Sequence, residues 1–345
     1  MTAIVTGASG HVGANLVRTL LARGRRVRAL IHNRARALDG LDLERLEGDV
    51  TDLGSVRRLC EGASVIFHLA ALISIDGPRG GEVERVNVQG TRNVAQVAHE
   101  RGVRMVHCCS VHAFCQSPLG QPLDETRARV AWQDRRHPAY DQSKAEGERV
   151  VRALVAEGLD AVLLHPTGII GPHDYELSRM GHVFTKLYHR TLPGIVAGGF
   201  DWVDVRDVVS ALLACEDPAR ALRNESYLLS GHWRSIAQVA ATAHAITGVK
   251  APRLSSPMWL ARASAPFMTA WARLTKTEPL YTNESLQALR ANRVIVSDKA
   301  KRAFGFEARP FAQSVYDVYA WHRDAGNIAK DATLTPPDDT GDAAQ

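Results

Sequence analysis

Apolar and polar positions along the first half of this chain switch between two periods, and the switches mark its elements. Ala3-Ile4-Val5 is a short unbroken apolar run that reads as a buried strand, while Leu16, Val17, Leu20 and Leu21 fall on one face of a helix. Between them Thr6-Gly7-Ala8-Ser9-Gly10-His11-Val12-Gly13 is a tight turn. The alternation repeats: Arg26-Val27-Arg28-Ala29-Leu30-Ile31 is a second strand, residues 46–52 a short third one ending in the carboxylate of Asp49 and apolar Val50, and residues 65–71 a fourth one running into Leu69, Ala70 and Ala71. Residues 85–101, which carry Asn87, Gly90 and Thr91, read as helical, residues 103–110 as a fifth strand ending at Ser110, and Tyr140 opens a helix through Ala145, Val150, Val151 and Leu154. Strands alternating with helices predict an α/β fold built on a doubly wound parallel sheet.

With 345 residues, 45% of them hydrophobic and 23% charged, the chain has room for a large core in one α/β domain with a smaller satellite, or in two domains. The formal charge of +5 is scattered apart from Arg23-Gly24-Arg25-Arg26 and Arg135-Arg136, which suits an anionic small molecule and gives no argument for nucleic acid. Five cysteines without metal-ligand spacing argue against structural zinc or a disulfide framework. The first strand follows Met1 directly, leaving no room for a signal peptide, and long uncharged apolar runs are absent from the sequence, so a reducing, cytoplasmic compartment is expected.

The glycines have a chemical reading beside that of a plain turn. Gly7 would allow the turn, Gly10 would let a diphosphate approach the main chain, and Gly13 would let helix and strand pack closely, with the helix N-terminus facing the anion. An acid just beyond the second strand would bind a ribose 2'-hydroxyl, and a basic residue would accept a 2'-phosphate. His32-Asn33-Arg34-Ala35-Arg36 stands there, and Asp39 is too far along, so the expected cofactor is NADP, with NAD as the alternative; Arg34 and Arg36 could equally be solvated charges. Tyr140 and Lys144 lie four apart on one helix face, where an ammonium would favour the phenolate and lower the pKa of the phenol towards the range useful for proton transfer.

Thr6 to Gly13, Asp49-Val50, Leu69-Ala70-Ala71, Ser110 and Tyr140 to Lys144, in that order, resemble the extended short-chain dehydrogenase/reductases. The resemblance runs to about residue 325. Gly198 to Val208 and His165-Pro166-Thr167-Gly168-Ile169-Ile170-Gly171-Pro172 are most similar to dihydroflavonol-reductase-like proteins, including relatives called hopanoid-associated sugar epimerases and 3β-hydroxysteroid-dehydrogenase-like enzymes. It implies a Rossmann-type domain over 1–165, to which 196–230 returns, and a smaller, mainly helical substrate lobe over 166–195 and 231–328. Thr6, Gly7, Gly10, Gly13 and the backbone of His11 and Val12 would hold the diphosphate, Asn33, Arg34 and Arg36 the adenosine ribose, and Asp49 and Val50 the adenine. Leu69, Ala70 and Ala71 would line the cofactor, and Pro166, Gly168 and Ile169 would meet the carboxamide. Tyr140 and Lys144 would reach the nicotinamide ribose or the reacting oxygen, beside which Ser110 would donate a hydrogen bond. Asn87 matches a family asparagine that could equally be a helix-packing amide.

Sugar-nucleotide members of the superfamily usually carry Arg at the place of His165 and Asn at that of Gly168. Their absence favours a smaller or more apolar carbonyl substrate and hydride transfer to or from it, with a nucleotide-sugar epimerase or dehydratase as the rival and a dinucleotide sensor without catalysis as a minor one. Residues 73–81, His112-Ala113-Phe114 and His173-Asp174-Tyr175 would rim the pocket or be plain surface. Residues 254–276, dense in Met258, Trp259, Leu260, Phe267, Met268 and Trp271 and interrupted by Pro257 and Pro266, suit core packing, a lid, a dimer face or a weak membrane-surface contact. A homodimer is usual for the family. The tail from 329, rich in Thr, Pro, Asp, Gly and Ala after Asp331, is expected to be disordered.

Overall fold

The computed structural model describes residues 2–32, 35–75, 77–134, 136–192, 194–252, 254–275 and 283–337. Its centre is a seven-stranded sheet in the order β3-β2-β1-β4-β5-β6-β10, with every pairing parallel. The strands and helices that build it are β1 (Thr2–Thr6), α1 (His11–Ala22), β2 (Arg26–Ile31), β3 (Glu44–Glu47), α2 (Leu53–Leu59), β4 (Ala63–His68), the single turn α3 (Glu82–Glu84), α4 (Thr91–Arg101), β5 (Met105–Cys108), α5 (Ala139–Glu157) and β6 (Ala161–Pro166). The chain then leaves through β7 (Gly168–Ile170), α6 (Arg179–Tyr188), β8 (Ile195–Val196) and β9 (Gly199–Asp204), and returns through α7 (Val205–Ala214) to β10 (Ser226–Leu229). The rest is β11 (His232–Ser235), α8 (Ile236–Thr247), β12 (Ser255–Ser256), α9 (Met258–Thr275), α10 (Asn283–Ala288), α11 (Asp298–Phe304) and α12 (Phe311–Asp324).

Alternate residues of each buried strand feed opposite layers, which is why these strands read as continuous apolar runs. Ala3 and Val5 of β1 pack with Leu16, Val17 and Leu20 of α1 and with Val208 and Leu212 of α7. Ile4, between them, faces the other way with Ile66, Met105 and Leu163 onto Val94, Val97 and Ala98 of α4 and Val151 and Val155 of α5. Burying each such aliphatic side chain contributes about 1.5–3 kcal/mol. The smaller lobe has its own core of Phe184, Trp202, Val239, Phe311, Val315 and Tyr319, around the three-stranded sheet β11-β9-β7.

Four local expectations differ from the structure. The third strand is Glu44–Glu47, so Asp49 and Val50 lie in the turn after it, because Asp49 accepts the Thr51 N–H and closes that turn. The helical stretch around Asn87 contains a π turn, Arg85–Gly90, before α4. The helix α9 runs through Pro266 without interruption, and core packing does not account for its large side chains: Ala261 and Ala265 are buried, whereas Trp259 is 71% and Phe267 77% exposed, with Leu260 exposed beside them. Met268 and Trp271 lie outside the residues whose side chains are described. The tail is not loose where it is described, since the Thr335 N–H donates to the Ile246 carbonyl at 2.8 Å and Ala332 and Leu334 pack on the smaller lobe's core; residues 338–345 lie outside the described residues.

Candidate active site

In an open parallel sheet, ligands lie beyond the carboxyl ends of the strands where the strand order reverses, here between β1 and β4. The turn that leaves β1 there is packed so closely that side chains are excluded. Gly7 has φ +68°, and a Cβ on it would come within 2.6 Å of the Ala70 nitrogen; a Cβ on Gly13 would sit 2.1 Å from the Gly7 oxygen. Gly10 differs. It is exposed, a Cβ there would meet nothing nearer than the Gly7 oxygen at 3.4 Å, and it stands at the N-cap of α1 without a side-chain acceptor for the first N–H groups. An uncapped helix end with open space over glycine fits an anion such as a diphosphate.

Thr6 fixes this loop against the next strand. Its Oγ1 accepts from the N–H groups of Leu69, at 3.2 Å, and Ala70, at 3.3 Å, and lies 2.8 Å from His68 Nδ1. His68 is fully buried and reaches Thr91 Oγ1 at 2.9 Å; burial pushes its imidazole down to about 3, with the Lys144 cation adding to the effect. Thr91 Oγ1 donates to the Asn87 carbonyl, and Asn87 Nδ2 donates to Ser143 Oγ at 2.9 Å. Ser143 in turn donates to the carbonyl of Tyr140 at 2.7 Å. A single buried chain of polar groups thus runs from the glycine loop to the helix that carries Tyr140. Asn87 is therefore a positioning amide that also clamps the Leu72 backbone, and of this chain His68, Thr91 and Ser143 escaped the reading of the sequence.

At the end of β5, Ser110 leaves the strand with extended backbone and accepts the His112 N–H at 3.2 Å, which caps the short turn Val111–Ala113. Its hydroxyl faces that of Tyr140. Lys144, one turn on and only 5% exposed, donates from Nζ to the Cys108 carbonyl at 3.2 Å. The three side chains therefore converge. The expected lowering of the phenol is not what the structure gives: burial pushes Tyr140 up from its ordinary value, the Ser110 hydroxyl pulls it partly back, and Cys109, Asp141 and Cys108 push it further up.

The segment after β6 is fastened to the start of α1. His11 Nε2 lies 3.1 Å from the Pro172 carbonyl, and Asn15 Nδ2 donates to the same oxygen at 2.9 Å. Gly168 and Ile169 are half-buried and Pro166 is buried at the strand end. Gly168 has a structural reason of its own, since a Cβ would sit 3.0 Å from the Asp201 carbonyl. His165 turns inward: it is fully buried, with Nδ1 3.2 Å from the Ser110 carbonyl and Nε2 3.3 Å from Ser226 Oγ, and burial pushes it down to about 4. Cys109, Glu148 and His165 offer ligand atoms within 4.8 Å of one another, but Arg129 and Arg152 already hold the Glu148 carboxylate at 2.8–3.0 Å.

Of the remaining expected residues, Leu69 and Ala70 are half-buried and Ala71 exposed at the sheet's carboxyl edge. Val12 and Asp49 are half-buried and Val50 buried, with Asp49 Oδ2 3.4 Å from His32 Nδ1. Arg36 is exposed on the turn after β2, while Asn33 and Arg34 lie outside the described residues. Four expected rim residues, Ser74, Ala113, Phe114 and Asp174, are interior instead. Phe114 lies under the Arg129 guanidinium, 3.8 Å from its ring centre, and Asp174 accepts the Ser178 N–H and hydroxyl to start α6.

Comparisons with known proteins agree with this geometry. The model of the NAD dependent epimerase/dehydratase family matches residues 3–230. Sterol demethylase protein B of Methylococcus capsulatus is 35% identical over 336 residues, covering 95% of this chain and 100% of its own. A putative dihydroflavonol 4-reductase of Synechocystis is 31% identical over 334 residues, covering 94% and 95%. The crystal structure of gox2253 superposes with a TM-score of 0.81 at 29% identity, over 95% of this chain and 99% of that one. The family model over two thirds of the chain and the full-length relatives settle the assignment: the chain belongs to the NAD dependent epimerase/dehydratase family, as an oxidoreductase of the extended short-chain dehydrogenase/reductase type.

Proposed function

We propose that this enzyme reduces, or in reverse oxidises, a carbonyl or alcohol on a small apolar, ring-bearing substrate of the dihydroflavonol or 3β-hydroxysteroid kind, with NADP in preference to NAD. The observation that carries the reading is the convergence of Ser110, just beyond the carboxyl end of β5, with Tyr140 and Lys144 at the start of α5. The names of the two full-length relatives support an apolar substrate. So does the sugar-side segment, where Gly168 carries no amide and His165 is committed to Ser110 and Ser226. Exposed Arg36 and the lack of an acid at the end of β2 support NADP.

The uncapped start of α1, with Gly10 and the N–H groups of His11 and Val12, would bind the diphosphate; Thr6, Gly7 and Gly13 shape that loop. Asp49 and Val50 would flank the adenine and Arg36, with Asn33 and Arg34, the ribose phosphate. Leu69, Ala70 and Ala71 would form one wall and Pro166, Gly168 and Ile169 the carboxamide end. When bound, the nicotinamide supplies or accepts the hydride. Ser110 donates a hydrogen bond to the substrate oxygen and polarises it, and Tyr140 passes it a proton or takes one away. Lys144, anchored on the Cys108 carbonyl, holds positive charge on the Tyr140 side of the site and so favours the phenolate that proton donation leaves behind.

The test is stoichiometry with a panel of a 3-ketosteroid, a dihydroflavonol and UDP-glucose. A reductase consumes one NADPH per ketone reduced and ignores UDP-glucose; epimerisation of UDP-glucose without net cofactor consumption overturns the proposal. Tyr140→Phe should lower kcat by about 10³-fold with NADPH affinity nearly unchanged.

A further inference from the structure

We propose that His112 is a positioning residue for the proton-transfer pair: its imidazole neutralises the Asp141 carboxylate that would otherwise bear on Tyr140, while its backbone N–H holds Ser110. Three contacts carry this. The ring lies against Tyr140 with centroids 5.8 Å apart and planes inclined at 64°. Its Nδ1 is 3.1 Å from Asp141 Oδ1, and its N–H donates to Ser110 Oγ at 3.2 Å. One residue thus touches both hydroxyl-bearing residues and the acid next in sequence to Tyr140.

The need for a neutraliser follows from charge. Asp141 is only 8% exposed, and a carboxylate so placed raises the phenol beside it, opposing the phenolate that proton donation must leave. A protonated His112 cancels that charge at short range. Burial disfavours the imidazolium, yet the Asp141 carboxylate 3.1 Å from Nδ1 outweighs burial and raises His112 above its ordinary value, which favours the charged pair. The other titratable groups around this site are Lys144 and Glu148 on α5, Cys108 and Cys109 on the incoming strand, and His165 on β6, which faces the Ser110 carbonyl and is held neutral by burial. Asp141 is thus the acid paired with His112.

The arrangement predicts rescue by a second substitution, which a residue needed for packing alone would not show. His112→Gln keeps a polar side chain and the backbone N–H but leaves the Asp141 charge uncompensated. Its kcat should fall about tenfold at neutral pH, one unit of phenol acidity, with the basic limb of the kcat profile moved to higher pH. Asp141→Asn in the same chain should restore kcat to within about threefold of the parent. The assay uses whichever of the 3-ketosteroid and the dihydroflavonol the parent reduces with NADPH. A second arm needs no substrate and so separates this proposal from the substrate reading: the phenolate difference spectrum of the NADP-bound protein, with Tyr140→Phe as blank, should show the same shift and the same recovery. If His112→Gln does not fold, His112→Asn is read in its place, with the same shift and the same recovery by Asp141→Asn expected. A parental profile in the His112 variant or no recovery in the double variant overturns the proposal.

Discussion

Asn87 and Leu72 are joined by two hydrogen bonds: the Leu72 N–H donates to Asn87 Oδ1 at 2.7 Å, and Asn87 Nδ2 donates to the Leu72 carbonyl at 3.0 Å. The same amide reaches Ser143, one turn along the helix from Tyr140. The loop after β4 and the helix bearing the acid/base residue are therefore held by one side chain. Asn87→Leu leaves the Leu72 backbone groups unpaired and should destabilise the fold by ~2–4 kcal/mol. Asn87→Asp keeps the acceptor, so its unfolding midpoint in urea should fall between the two; equal losses would show that the clamp is not what matters.

Gly13 and Gly10 should respond differently to the same added methyl. At Gly13 the Cβ collides with main chain at 2.1 Å, and at Gly10 it meets the Gly7 oxygen at an ordinary 3.4 Å. Gly13→Ala should therefore lower the melting temperature by several degrees, on the order of 2 kcal/mol or more. Gly10→Ala should leave melting almost unchanged and weaken NADPH binding about tenfold or more, because the methyl covers the uncapped helix end. Calorimetric melting with a fluorescence titration of NADPH separates the two effects.

His68 and His165 are held neutral, at about 3 and about 4 against an ordinary 6.5. As the pH falls below about 6.5 the unfolded chain takes up protons that the folded one refuses, so stability rises with pH in that window and is complete above it. The melting temperature should fall steadily from about pH 6.5 towards pH 4, each of these two histidines contributing up to ~1.4 kcal/mol per unit. Thermal scans at fixed ionic strength check this, and His165→Asn should make the slope shallower.

Arg36 stands exposed after β2 with no acid at the strand end. If it meets a 2'-phosphate, Arg36→Ala should raise the dissociation constant for NADPH about tenfold, ~1.4 kcal/mol, and leave that for NADH unchanged. Parallel titrations with the two nucleotides decide it, and equal effects on both would favour NAD.

The layered sheet, the glycine turn and the convergence of Ser110, Tyr140 and Lys144 were legible in the sequence because each leaves a local trace: an apolar run, a glycine where a Cβ cannot fit, a four-residue spacing. The chain from Thr6 through His68, Thr91 and Asn87 to Ser143 was not, since its members are far apart in sequence and become neighbours only when β1 pairs with β4. Their one signal was polarity in places that the pattern marked as interior. The phenol's acidity was misjudged for a related reason: helical spacing shows that Lys144 is near, but only the packed structure shows that the surroundings of Tyr140 and the Asp141 charge oppose the lowering. For Trp259 and Phe267 the sequence left core packing, a lid, a dimer face and a membrane contact open, because composition cannot tell which face of α9 turns outward, and here the alanines turn in.

The shared grip of His11 and Asn15 on the Pro172 carbonyl ties the start of α1 to the strip that follows Gly168 and Ile169. A fragment that fills only the adenosine diphosphate end would already steady the strip carrying Gly168 and Ile169. Nicotinamide mononucleotide should then bind more tightly after such a fragment than before it, so that the halves of the dinucleotide help each other across that joint.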